Sequence, residues 1–97
     1  MNKLNKALRL IRVFNDMSLS ELAKEMKVSI GYLSEIESGK KNPSLDIIRK
    51  YATVFHTTES AILFFSENIQ IDSKTKTALR NNILKFLEAL DHLKKSK

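Results

Sequence analysis

The sequence predicts an all-α fold. Only two glycines and one proline punctuate its 97 residues. No alternating β-branched runs appear, and apolar residues recur at steps of three and four through most of the chain. A chain of this length fits one small domain that buries about 60–65% of its unfolded surface, so its core is modest.

Residues 2–15 (NKLNKALRLIRVFN) form the first expected helix. Leu4, Ala7 or Leu8, Ile11 and Phe14 lie on its inward face, with Lys3, Lys6, Arg9 and Arg12 on the remaining surface. Ser18 then begins a Ser-x-x-Glu capping box with Glu21 and opens a helix over about 19–26. Leu22, Ala23 and Met26 point inward from it. After Lys27 and Val28, Ser29 can cap a second short helix, about 29–38, that carries Leu33 and Ile36 inward. Gly39 stands where that helix must end, because a left-handed residue there costs least as glycine. Two short helices joined by a three-residue turn make a helix-turn-helix, whose second helix fits a DNA major groove.

Ser44 can cap a fourth helix, about 45–56, with Leu45, Ile48, Tyr51, Ala52 and Phe55 inward. Thr58 opens a fifth, about 59–66, in which Ala61, Ile62, Leu63, Phe64 and Phe65 follow one another. Five consecutive apolar residues cover the whole helix circumference, so something besides the domain's own core must cover part of them. Residues 67–74 (ENIQIDSK) read as a polar connector. A final helix over about 75–95 carries Leu79, Ile83, Phe86, Leu90 and Leu93 at steps of four, three, four and three, a coiled-coil-like seam widened by Leu84 and Leu87. The expected division is therefore residues 1–66, a helix-turn-helix domain, and residues 67–97, a connector and dimerisation helix.

The net charge is +6. Residues 1–66 carry ten Lys/Arg against seven Asp/Glu, and residues 67–97 seven against four, so each part contributes +3. Such a balance suits a polyanionic partner through counterion release. The absence of cysteine excludes disulfides and thiolate metal sites. No apolar run approaches a membrane span or a signal sequence, which predicts a cytoplasmic protein with no membrane contact. There is no glycine-rich phosphate loop or nucleophile motif, and His56 and His92 are the only histidines. Neither an enzyme nor a metal or other cofactor is expected, and the length leaves no room for a self-cleaving protease domain.

Leu22-Ala23, Val28-Ser29, Leu33-Ser34, Ile36-Glu37, Gly39-Lys40 and Asn42-Pro43-Ser44-Leu45 resemble the motif of the lambda-repressor-like (Cro/CI-type, XRE) helix-turn-helix family of transcriptional regulators. The resemblance covers roughly residues 5 to 66. It implies a five-helix DNA-binding domain, here followed by a C-terminal helix, with double-stranded DNA as partner. It also implies that Arg12 pairs with Glu37, a contact that can be bidentate and would tie the first helix to the end of the third. Lys40, Lys41 and Asn42 match the place where the family grips the sugar-phosphate backbone, a kind of contact that fixes register without reading sequence. Three positions depart from the pattern. Leu19 stands where the family commonly has a phosphate-binding glutamine, and Lys27 and His56 stand where it often has glycine.

With Leu33 and Ile36 inward, Ile30, Gly31, Ser34 and Glu35 take the outer face of the third helix, with Tyr32 beside them. Ile30 suits a thymine methyl, Glu35 suits cytosine N4, and Tyr32 or Ser34 can reach a base edge or a phosphate. Gly31 allows close backbone approach. That helix holds no Arg, Asn or Gln, so DNA shape is expected to carry part of the specificity. Ser18 and Ser29, at helix N-termini, are further phosphate-binding candidates.

The expected function is a sequence-specific transcriptional regulator, a repressor of a nearby promoter, acting as a homodimer on a palindromic operator. Phe64, Phe65, Leu79, Ile83, Phe86, Leu90 and Leu93 are the expected dimer contacts. The alternative is an antitoxin whose final helix neutralises a protein partner. A third reading, an interaction module that has lost DNA binding, follows from Leu19 and from the acid at Glu35.

Overall fold

Five helices follow one another in a computed structural model that describes residues 3–69 together with Leu84 and Glu88. They are α1 (Lys3–Phe14), α2 (Leu19–Met26), α3 (Ile30–Glu37), α4 (Leu45–Val54) and α5 (Glu59–Asn68), and no strand occurs among the described residues. The α2–α3 pair packs through α3 on α1 and through α2 on α4, while α5 closes over α1 and α4. The final helix expected over 75–95 lies outside the described residues, apart from Leu84 and Glu88, both helical and exposed.

Local chemistry starts four of the helices. Ser18, Ser29, Ser44 and Thr58 each accept a hydrogen bond on the side-chain oxygen from the amide three residues on, at 3.0, 3.1, 3.2 and 3.0 Å. At Ser18 the box is reciprocal, since its own amide donates to Glu21 Oε1 at 3.1 Å. Those bonds, first from the Ser18 backbone and then from its side chain, hold the Glu21 carboxyl below its ordinary pKa.

One device ends the first four helices. Asp16, Lys27, Gly39 and His56 all have positive φ, 54°, 58°, 88° and 55°. The next amide reaches back five residues in every case: Met17 to Arg12 O, Val28 to Ala23 O, Lys40 to Glu35 O and Thr57 to Ala52 O, at 3.3, 3.0, 2.9 and 2.9 Å. These are Schellman closures, and three of them are made with a side chain in place. A left-handed L-residue costs about 1 kcal/mol or more, partly offset by the extra freedom glycine gives the unfolded chain. Lys27→Gly together with His56→Gly should therefore raise stability by about 1 kcal/mol, a rise in Tm of about 4–8 °C on thermal melting.

The core joins Ala7, Leu8, Leu10 and Ile11 of α1 to Leu22, Ala23 and Met26, Leu33 and Ile36, Ile47, Ile48, Tyr51 and Ala52, and Ile62 and Phe65. α1 meets both α3 and α5, which is why it buries a broader arc than its expected stripe, with Leu10 and Asn5 added. Leu45 was expected inside but is 53% exposed. Ile47 is buried instead: it lies one turn before Tyr51 on one flank of the buried stripe, whereas Leu45 falls beyond Ala52 on the other. On α5 the apolar run divides: Ala61, Ile62 and Phe65 are buried, Leu63 and Phe64 exposed. Phe65, assigned to a dimer interface from the sequence, is wholly inside its own domain. The packed body also runs past residue 66, since α5 continues to Asn68 and Ile69 is buried.

Candidate nucleic-acid interface

The outer face of α3 is open. Ile30, Gly31 and Ser34 are exposed, and Tyr32 and Glu35 are half-buried at its margin. Among the described residues, a methyl group built on Gly31 would meet nothing within 4 Å, so their packing does not require a glycine there. Helical glycine is less stable than alanine by roughly 0.5–1 kcal/mol. The protein thus carries a cost at Gly31 for which its interior gives no reason.

Lys41 sits differently from the expectation of a free phosphate ligand. Its ammonium lies 3.8 Å from Glu35 Oε1 and 5.3 Å from the centroid of the Tyr32 ring. Its side chain therefore folds back over the outer face of α3 and offsets the carboxylate there. Both partners are about half exposed, so the contact is weak and easily exchanged. Lys40 and Asn42 are exposed beside it, and Lys40 makes no ion pair among the described residues. Ser18 and Ser29 each accept one helix amide on the hydroxyl oxygen, and the O–H proton is what each can offer to a phosphate.

Asn5, which sequence reasoning missed, supports this loop. Its side-chain amide donates to Ile36 O at 2.6 Å and to Lys41 O at 3.0 Å. It is buried, and a polar residue one helical turn from Leu8 and two from Arg12 was the available signal.

Arg12, Glu37 and Tyr51 join three helices. Arg12 Nε donates to Glu37 Oε1 at 2.9 Å and Oε2 at 3.1 Å, while its Nη1 donates to Met17 O at 2.9 Å. The contact is bifurcated from one nitrogen and is not a parallel fork. Tyr51 Oη donates to Glu37 Oε2 at 2.7 Å. Glu37 is buried, so these partners replace the water it has lost.

Burial raises the Tyr51 pKa, with the Glu37 charge and hydrogen bond adding to it and Arg12 opposing it. The sign follows directly. An unfolded tyrosine loses its proton near pH ~10, whereas folded Tyr51 keeps it. This contribution is fully present below pH ~10 and is lost above it by up to about 1.4 kcal/mol per pH unit. Tyr51→Phe should remove that alkaline slope in urea titrations while costing about 1.5–3 kcal/mol near neutrality.

Two short helices in this arrangement, the first capped by Ser18 and the second with its outer face exposed, are a helix-turn-helix. The sequence profile of the helix-turn-helix family matches residues 8–62, more than half the chain, and the chain belongs to that family of transcriptional regulators. It is similar to the transcriptional regulator ClgR of Mycobacterium tuberculosis, 38% identical over 56 residues that make up 58% of this chain and 50% of that protein. It is also similar to the HTH-type transcriptional regulator DdrOP3 of Deinococcus deserti, 33% identical over 61 residues, 63% of this chain and 47% of that protein. The chain spans about half the length of the curated relatives it matches. No solved structure gives a significant match. Among the described residues no helix is long and apolar enough to cross a membrane.

Proposed function

We propose that the protein is a sequence-specific, dimeric repressor that lays α3 in the major groove of a palindromic operator. Ile30, Gly31, Tyr32, Ser34 and Glu35 face the bases, and Lys40, Lys41 and Asn42 hold the backbone beside them. The observation that carries the reading is Gly31, whose missing side chain serves no neighbour among the described residues and suits a closely approaching one outside the domain. Gly31→Ala should stabilise the fold by about 0.5–1 kcal/mol while weakening binding to the preferred site. That site is found by sequencing duplex fragments retained by the pure protein. A variant more stable and equally tight would remove this argument.

Dimerisation is read from α5, where Leu63 and Phe64 are 43% and 41% exposed side by side. On this reading the segment after Ile69 completes the interface through Leu79, Ile83, Phe86, Leu90 and Leu93. A two-fold pair would set its reading helices about 34–36 Å apart, one turn of duplex. Sedimentation of the intact chain at tens of micromolar tests this. A monomer would count against it and turn attention to a different protein partner, as the antitoxin reading requires.

A further inference from the structure

A cleft of about 340 Å³ opens between α1, the start of α2 and the second half of α3, lined by Arg9, Arg12, Leu19, Ser34, Glu37 and Ser38. Its charges are unequal. Glu37 is buried and already engaged by Arg12 and Tyr51. Arg9 is exposed, and among the described residues it makes no hydrogen bond or ion pair. Arg12 binds Glu37 through Nε and Met17 through Nη1, which leaves Nη2 without an acceptor among the described residues. The Arg12 side chain is 15% exposed. The cleft therefore holds two guanidinium groups against one carboxylate, with two serines on its α3 wall.

We propose that this cleft takes a backbone phosphate of the bound duplex, with Arg9 as its principal donor. In helix-turn-helix docking, the helix before the reading helix crosses the sugar-phosphate backbone. Leu19 is the first residue of that helix here and offers no side-chain donor, so the cation comes from α1 instead. Guanidinium matches a phosphate's paired oxygens, and Arg9 is free to turn toward them. The inference rests on the DNA-binding reading above and adds a contact to it.

The test compares the intact protein with Arg9→Ala by fluorescence anisotropy on a labelled random-sequence duplex, from about 50 to 200 mM salt. Loss of one phosphate contact should lower the salt slope by about 0.9 and weaken binding about eight-fold at 0.1 M salt. The melting temperature should not change, and Arg9→Lys should keep the slope. Leu19→Gln placed in the Arg9→Ala protein should recover part of the affinity, because it restores a donor to the same cleft. An unchanged slope for Arg9→Ala, with the parent protein binding normally, would overturn the cleft and leave the reading helix intact. A parent protein that binds no duplex would overturn the DNA-binding reading and this inference with it. Titration with inorganic phosphate, followed through the Ser34 and Ser38 amides by NMR, separates the two sources of the anion. Arg9-dependent shifts without any change in DNA salt slope would assign the cleft to a free phosphate compound and overturn the backbone contact.

Discussion

Arg12→Ala is expected to destabilise the domain by about 3–5 kcal/mol, a large fraction of the roughly 5–15 kcal/mol that holds a small domain together. The size comes from what is left behind. The Glu37 side chain is only 5% exposed, so without the guanidinium its charge has Tyr51 and little else. Arg12 also ties Met17 O to the network, so the turn after α1 loses its anchor with the same substitution. Arg12→Lys should fall between the two, since one ammonium replaces three placed nitrogens. Glu37→Gln should cost less than Arg12→Ala, because the charge it leaves unpaired, on Arg12, is less deeply buried than Glu37 and keeps the Met17 carbonyl. Urea unfolding at constant m measures all three. A loss under about 1 kcal/mol for Arg12→Ala would mean that Glu37 finds water or another partner, and the network would not be what ties α1 to α3.

The second large effect concerns DNA. Lys40→Ala with Lys41→Ala should reduce the salt slope by about 1.8 and weaken binding to every duplex, by about sixty-fold at 0.1 M salt. The two lysines do not act alike. Removing Lys41 also uncovers Glu35, whose carboxylate it offsets at 3.8 Å. Lys41→Ala should therefore cost more in the parent protein than in Glu35→Gln, and Glu35→Gln alone should tighten nonspecific binding. Equal losses in both backgrounds would show that Lys41 leaves Glu35 before DNA arrives. A loss limited to one operator base, with the slope unchanged, would make these lysines readers of sequence.

Much of the fold was legible because its signals are local. Ser18 with Glu21, Ser29, Ser44 and Thr58 announce helix starts through contacts three residues long. Gly39 marks a left-handed end for the same reason, whereas Lys27 stands out only because the resembled family often has glycine there. What the sequence hid depends on neighbours brought from elsewhere. The phase of α4 turned on which face met the core, so Ile47 was passed over for Leu45. Within the apolar run of α5, only packing against α1 and α4 decides that Phe65 goes in and Phe64 stays out. At the candidate site, the outward residues of α3 followed from Leu33 and Ile36 pointing inward. The reach of Lys41 back to Glu35 did not follow, because a long exposed side chain is placed by tertiary surroundings. Asn5 reads as one more surface residue until the carbonyls of Ile36 and Lys41 stand beside it.

That asparagine has a kinetic consequence. Holding one residue's backbone in place costs about 1–2 kcal/mol of conformational entropy. Residue 41 meets this cost when the domain folds, through Asn5 on its carbonyl and Glu35 O on its amide. On the proposed reading, a duplex would encounter a loop that is already ordered, and contacts made by that loop would go into holding the complex together. Encounter is governed by long-range charge, which Asn5 does not carry. Loss of this pin would leave arrival at DNA as fast as before and shorten the time the protein stays there.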